Sequence, residues 1–372
     1  MSVEIRKVEF PRDINAFIGV VFKIYAGNPY WVPPLKMDLK AFLNPNKNPY
    51  FKTATVQPFI AYRNGEAVGT IAATVDQGVQ EHEPGVGLFG FFDFIDDPAV
   101  SEGLWKAATR WLRDQGMKSA RGPANFCLNH EFGLIIDGHD DMPMIANPYN
   151  AAYYQGHYEK LDIPKARDWF TYEMDRTKSP PEIIRKIADR FMSRHPEVEI
   201  RPMKKSEFES QVDDFWELYN DAWEHNWGHS KFGREEFLWA AKRLMPVLDE
   251  RLAFMAYVDG KPAAASITLL DYNQVAKKMN GSIFPFGWWH YLNAGKTIDR
   301  IRVWVLGVKQ EYQKLPLGAP LYLKTWDNAS EMMKLQKAEA SLILEDNHRM
   351  RGALEKLGLE VAKTYRMYEA PL

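Results

Sequence analysis

The apolar and polar positions of this chain alternate in two periods, and they do so twice in the same order. Residues 3–10 (VEIRKVEF) and 198–203 (VEIRPM) read as short strands. Apolar residues three and four apart follow each, over 13–25 and 206–223. In the second stretch Phe208, Val212, Phe215, Trp216 and Tyr219 share one helical face. A hairpin comes next. Residues 59–62 and 67–75 flank Asn64-Gly65, and 254–258 and 263–270 flank Asp259-Gly260. Both dipeptides tolerate the positive φ of a two-residue turn. A strongly apolar strand follows (87–95 and 301–308), then a helix (104–115 and 319–334), then another strand (119–128 and 338–344). Each half closes with a short helix and a last strand, giving β-α-β-β-β-α-β-α-β twice.

The residues themselves repeat. GHYEKLDIPKARDWFTYE at 156–173 matches GALEKLGLEVAKTYRMYE at 352–369, and FIAYRNGEAVGTIAATVD from Phe59 matches FMAYVDGKPAAASITLLD from Phe254. The two shifts differ by a single residue, which marks a duplicated domain. The natural division is 1–176 and 177–372, with a linker at 177–181 that holds two prolines. The halves differ in two insertions, 129–149 in the first and an aromatic stretch, 282–292, in the second.

Composition narrows the partners. The 372 residues carry a formal net charge of −2, which gives no general attraction for nucleic acid. The one cysteine, Cys127, excludes an intrachain disulfide and fits a reducing, cytoplasmic setting. No apolar run approaches the ~20 residues of a membrane span. Aromatic residues, at 13%, are high; filling the cores of two domains accounts for them, and an apolar substrate cleft is the sharper alternative.

The segment 306–321, LGVKQEYQKLPLGAPL, runs from an apolar strand through a polar turn into Gly-Ala and a helix. That layout aims backbone N–H groups and a positive helix end at one point, an anion site. Leu306-x-Val308, then Gln313 and Gly318, resembles the acyl-CoA pyrophosphate loop of the GCN5-related N-acetyltransferases (GNAT). Asn347 followed by EKLGLE at 355–360 resembles that family's downstream segment, and the doubled element order resembles bacterial tandem-GNAT N-acyltransferases. The resemblance implies an α+β fold with a mixed sheet in two tandem GNAT-like domains. It implies an acyltransferase using acetyl-CoA or a longer acyl-CoA as co-substrate, with direct attack by an amine and no metal. It also implies roles. Leu306, Gly307 and Val308 would offer backbone to the thioester and pantetheine, with Val308 at the reacting carbonyl. Gln313, Lys314, Leu317, Gly318 and Ala319 would hold the pyrophosphate, and Asn347 the pantetheine arm. Glu345, at a strand end, is the candidate base, with Asp346 and His348 as rivals. Trp223, Glu224, Asn226, Trp227 and Trp288 would line the acceptor pocket. The acceptor class is a small-molecule or lipid amine, and a homodimer is compatible with the sequence.

Three departures stand out. Pro316 removes an N–H donor from the loop. Leu354 stands where the family carries a tyrosine general acid, whereas the first half has Tyr158 there. The first half also lacks the loop and places Asp96 and Asp97 where phosphate would sit. The expectation is therefore one donor site, in the second half, beside a degenerate first copy. The rival readings are a Fem-like transferase using aminoacyl-tRNA and a non-catalytic binding protein on the same fold.

Overall fold

A computed structural model describes residues 3–175, 179–332 and 334–372. Positions 177 and 178 of the expected linker lie outside these residues. The chain packs as two compact units. Residues 1–169, 276–291 and 363–372 make the first, and 170–275 and 292–362 the second. By packing, then, the aromatic insertion and the C-terminal residues go with the first unit, although they follow the cut at 176 in sequence.

The first unit contains β1 (Val3–Lys7), α1 (Ile14–Ile24), α2 (Lys36–Phe42), β2 (Ala54–Arg63), β3 (Glu66–Asp76), α3 (Gln77–His82) and β4 (Val86–Phe94). It continues with α4 (Pro98–Asp114), β5 (Ser119–Gly122), β6 (Leu134–Asp137), α5 (Tyr153–Lys160) and the start of β7 (Lys165–Asp175). The second contains α6 (Glu182–Arg194), β8 (Val198–Pro202), α7 (Phe208–Trp223), α8 (Arg234–Leu244), β9 (Ala253–Val258), β10 (Lys261–Leu270) and the start of α9 (Asn273–Met279). After the short helix α10 (Gly287–Leu292) come β11 (Arg300–Val308), α11 (Gly318–Met332), β12 (Lys337–Leu344), α12 (His348–Lys356) and β13 (Glu360–Pro371).

The first sheet runs β1-β2-β3-β4-β5-β13-β7, and the second β7-β12-β11-β10-β9-β8. Each has one parallel contact at its middle, β4 with β5 and β11 with β12. The first unit's sheet thus takes its β13 strand from the end of the chain, with Tyr368 opposite Gly122 and Glu369 opposite Arg121. Arg121 fixes that register. Its guanidinium, almost wholly buried, bonds Glu369 at 2.9 Å and Glu83 at 2.6 Å.

Both hairpins turn where the sequence places them, with Asn64-Gly65 and Asp259-Gly260 all at positive φ. Two elements differ from the sequence reading. Helix α4 begins at Pro98, not at 104, because Asp97 caps it by accepting from Ala99 N–H and proline suits the first helical position. Strand β5 stops at Gly122 instead of reaching 128, since Pro123 has no N–H to continue a ladder. Within the aromatic insertion, Gly287–Leu292 form the helix α10.

Candidate functional site

Each unit opens at its parallel pair, and the two openings differ. In the second unit β11 and β12 pair from Arg300–Lys337 to Val303–Ala340, and no further. Beyond that point 304–308 and 341–344 run on without pairing to each other. The cause lies on the other edge of β11. There Ile267 faces Val305 while Thr268 faces Val303, so Trp304 is an extra, bulged residue that bends the strand away. Leu306 and Val308 face a cluster with Leu317, Leu321, Phe254 and Ala256, under the first turn of α11. Gly307 faces the opposite way, against α7. A Cβ there would lie 2.4 Å from the Trp223 ring, so the indole lies directly over backbone.

The loop that follows is pinned at both ends. Gln310 N–H donates to Asp221 Oδ2 at 2.7 Å, and its side chain meets Glu224 Oε2 at 3.0 Å and His225 Nε2 at 3.1 Å. Arg349, in the first turn of α12, donates to the Gln313 carbonyl at 3.1 Å. The helix α11 then starts at Gly318. A Cβ on Gly318 would find only Leu306 Cδ2, at 4.0 Å. Lys309, Lys314 and Arg349 give this rim a positive charge, and Lys314 and Arg349 are exposed. The Ala319 N–H is drawn back to the Pro316 carbonyl at 3.2 Å.

Glu345 follows the last residue of β12. Its carbonyl accepts from Arg351 at 2.7 Å, and Arg351 is in turn bonded to Tyr172, which reaches Glu355. Asn347 caps α12 by accepting from Met350 N–H at 3.1 Å. Its side-chain oxygen therefore has a structural use. Asp346 and His348 are exposed beside it. On α7, Trp223 stacks on Tyr219 with ring centroids 4.7 Å apart, while Glu224 and Asn226 are exposed and Trp227 is half-buried. Trp288 belongs to the first unit and is exposed.

In the first unit the equivalent opening is filled by the chain itself. Strand β4 also bulges, since Thr70 faces Asp93 and Ala72 faces Gly90. Residues 123–126 enter the gap. Ala124 N–H donates to Phe89 O at 2.8 Å, and Phe91 N–H donates to the Asn125 side chain at 2.8 Å. The fit is so close that a Cβ on Gly90 would lie 1.8 Å from Ala124 O. The start of α4 is occupied as well, by Asp97, which also pairs with Arg63. Tyr158 is fully buried between Phe89, Phe92 and Tyr368, and burial raises its pKa well above 10. Its hydroxyl is therefore out of reach as an acid.

A cleft of about 760 Å³ lies between α4 and α5, lined by Ser101, Arg110, Arg113 and His157 among others. Ser101 Oγ is 2.8 Å from His157 Nδ1, and Asp96 is 2.9 Å from Nε2. This is not a nucleophile relay. Ser101 is buried, and its hydroxyl is also placed to donate to Pro98 O at 3.2 Å, so the trio ties α4 to α5. Cys127 is buried with its thiol 3.4 Å from His130, a pairing that the sequence reading overlooked. Also missed was the buried trio Arg302, Glu339 and Ser341, which fixes the last paired turn of β11 and β12. Three lone polar residues in apolar strands were its only trace in the sequence.

Comparison with known proteins places this architecture. No family model matches the chain. A bacterial ceramide synthase from Caulobacter vibrioides (strain NA1000 / CB15N) is 33% identical over 98% of this chain and 96% of its own length. Protein YghO of Escherichia coli (strain K12) is 33% identical over 96% of this chain and 92% of its own. A solved tandem GNAT protein from the clavulanic acid biosynthesis pathway overlays 99% of this chain and 98% of its own, with a TM-score of 0.57 at 12% identity. The chain belongs to the same family as these two relatives, and it has the fold of the tandem GNAT acyltransferases. A probable N-acyltransferase from Enterococcus faecalis V583, with a TM-score of 0.54 at 9% identity, shares the fold over the whole chain. Within this tandem GNAT protein, the parted strands and the room beside Gly318 at the start of α11 occur in the second repeat, and the filled counterpart in the first.

Proposed function

We propose that this tandem GNAT protein transfers a long acyl group from acyl-CoA to the primary amine of a lipid precursor, with the donor held by the second unit. The observation that carries the reading is the contrast between the two openings. In the second unit the strands part over 304–308 and the start of α11 accepts a Cβ without conflict. In the first, protein groups fill both places.

The chemistry follows from these residues. The pyrophosphate of CoA would lie at the N-terminus of α11, against Lys314 and Arg349. The pantetheine arm would run between β11 and β12, and backbone at Val308 would face the thioester carbonyl as an oxyanion donor. The amine nitrogen attacks the carbonyl carbon, the C–S bond breaks, and the amine's proton passes to Glu345. The departing thiolate takes a proton from water. A thiol of pKa about 8.5 leaves without a strong acid, so the buried Leu354 at the family's tyrosine position is compatible with turnover. Lys314 acts through its charge and Leu317 through the loop backbone, Ala319 holds the turn by its bond to the Pro316 carbonyl, and Asn347 acts by capping α12. Trp223 forms one wall of the acceptor side by covering Gly307.

The likeness to a ceramide synthase supports the acceptor class, because a ceramide is an N-acylated long-chain amino alcohol. A purified chain given palmitoyl-CoA and a long-chain amino alcohol is expected to release CoA thiol. Glu345→Gln is expected to lower turnover by about a hundredfold with KM for acyl-CoA little changed. No thiol release with any lipid amine defeats the reading, and unchanged turnover in the variant removes Glu345 as the base.

A further inference from the structure

From Tyr272 to Ile298 the chain has no acidic residue, while Lys277, Lys278, His290 and Lys296 lie within it. The centre of this stretch exposes large apolar side chains. Phe284 is 77% exposed, Phe286 73%, Trp289 57% and Trp288 43%, and Tyr291 and Leu292 are exposed too. A folded surface rarely exposes so many large apolar side chains together.

The segment is held in place. Its base is bolted to the first unit, with Lys277 Nζ donating to the Asn28 and Trp31 carbonyls at 2.8 and 2.6 Å. Lys36 N–H donates to Gly281 O at 3.0 Å, and Gly281 packs against Phe22. The tip is fixed internally. Trp288 donates through its backbone N–H to Ile283 O and through its indole to Pro285 O, both at 2.8 Å. The same junction sets the start of α2 against the base of the segment at Gly281, and there Lys36 and Met37 are exposed, Met37 adding another apolar side chain. Asp38 is the acid nearest in sequence to that corner. The first repeat has no counterpart to this segment, so the fold does not require it.

We propose that residues 282–292, with Met37, form an anchor that seats on an anionic lipid bilayer. The phenylalanine and tryptophan rings enter the headgroup layer, and Lys36, Lys40 and Lys278 meet lipid phosphates. Aromatic rings and basic flanks are the side chains that favour that depth. No described helix is long and apolar enough to cross a membrane, so the contact is a surface one. A second copy is the less favoured occupant. A self-complementary contact on this face would bring the same lysines together. The inference stands on this surface alone and does not depend on the acyl-CoA site.

Flotation of the full chain with phosphatidylcholine vesicles, with and without phosphatidylglycerol, tests it. Binding is expected only with phosphatidylglycerol, with a blue shift of tryptophan emission and loss at high salt. The triple variant Phe284→Ser, Phe286→Ser, Trp289→Ser changes exposed residues. It is expected to keep its melting temperature and its response to acyl-CoA while partitioning falls by roughly tenfold or more. Lys36→Glu with Lys278→Glu is expected to weaken binding at low salt only. Failure of the native chain to float, equal binding to phosphatidylcholine alone, or undiminished binding by the triple variant each overturns the proposal. So does a dimer in light scattering that the triple variant dissociates, since a second copy then covers the patch. Vesicle binding by the native chain needs no acyl-CoA, so its failure is distinct from failure of the transfer reading.

Discussion

Replacing Gly318 by glutamate is expected to act with opposite signs on the free and the donor-bound protein. In the free protein a Cβ at this position meets one atom, Leu306 Cδ2 at 4.0 Å, an ordinary contact. Glycine is the weaker helix former by up to ~1 kcal/mol, and an acid in a first helical turn adds a few tenths more. The free second unit is therefore expected to hold its stability or gain about 1 kcal/mol. Against a bound pyrophosphate the same carboxylate is repulsive. Two like charges about 4 Å apart near a protein surface interact by roughly 4 kcal/mol, about a thousandfold in affinity. Acyl-CoA at a hundred times its dissociation constant stabilises the wild type by ~2.7 kcal/mol, a shift of about 5–10 °C for a unit of this size. At that concentration the variant is expected to gain ~0.1 kcal/mol or less, a shift too small to read. Thermal melts with and without acyl-CoA measure both quantities. A free variant melting several degrees lower refutes the steric argument, and a surviving acyl-CoA shift refutes this helix as the anion site.

Three further outcomes are expected. Gly307→Ala sets a Cβ 2.4 Å from the Trp223 ring, so chemical denaturation is expected to show a loss of about 1–3 kcal/mol, and unchanged stability would mean the ring has room to move. Asp97→Ala removes the cap of α4 and the partner of Arg63, which costs about 1–2 kcal/mol and leaves the acyl-CoA shift unchanged; loss of that shift would put the donor in the wrong repeat. Asp93 is buried against the Tyr25 and Tyr154 hydroxyls at 2.9 and 3.2 Å, and desolvation raises its pKa from 3.8 to about 6. A carboxyl with a raised folded pKa is held best when protonated, so its contribution is full below pH 3.8 and is lost as pH rises through about 6. The stability difference between Asp93→Asn and wild type is expected to change by roughly 3 kcal/mol across that window and stay flat above it; a flat difference throughout removes the argument.

The element order was legible because each signal was local. Asn64-Gly65 and Asp259-Gly260 announce their turns, and the face of α7 follows from the spacing of Val212 and Phe215. The loop at 313–319 was legible because strand, turn, glycine and helix stand in one run of sequence. What the sequence hid depends on contacts between distant residues. The bulge at Trp304 is a matter of register with β10, and no pattern in β11 marks it. The filling of the first opening needs residues 123–126 to meet Phe89 and Phe91, and a strand-like run through 128 concealed it. Asp97-Pro98, a cap followed by proline, was a readable helix start that the apolar period outweighed. Tyr158 matched a family position in sequence and lies in a core by packing.

The pairing of β13 with β5 has a consequence for how the chain is made. The ribosome releases residue 122 long before residue 368, yet these two face each other within one sheet. Most chains fold their leading portion while the rest is still being polymerised. Here the leading portion lacks a strand until β13 has been made, and β5 keeps an unsatisfied edge for that interval. The gap that closes is about 250 residues, and the entropic cost of closing it grows only logarithmically with that length. The delay is therefore set by synthesis time, and the nascent protein depends on whatever shields that edge until β13 emerges.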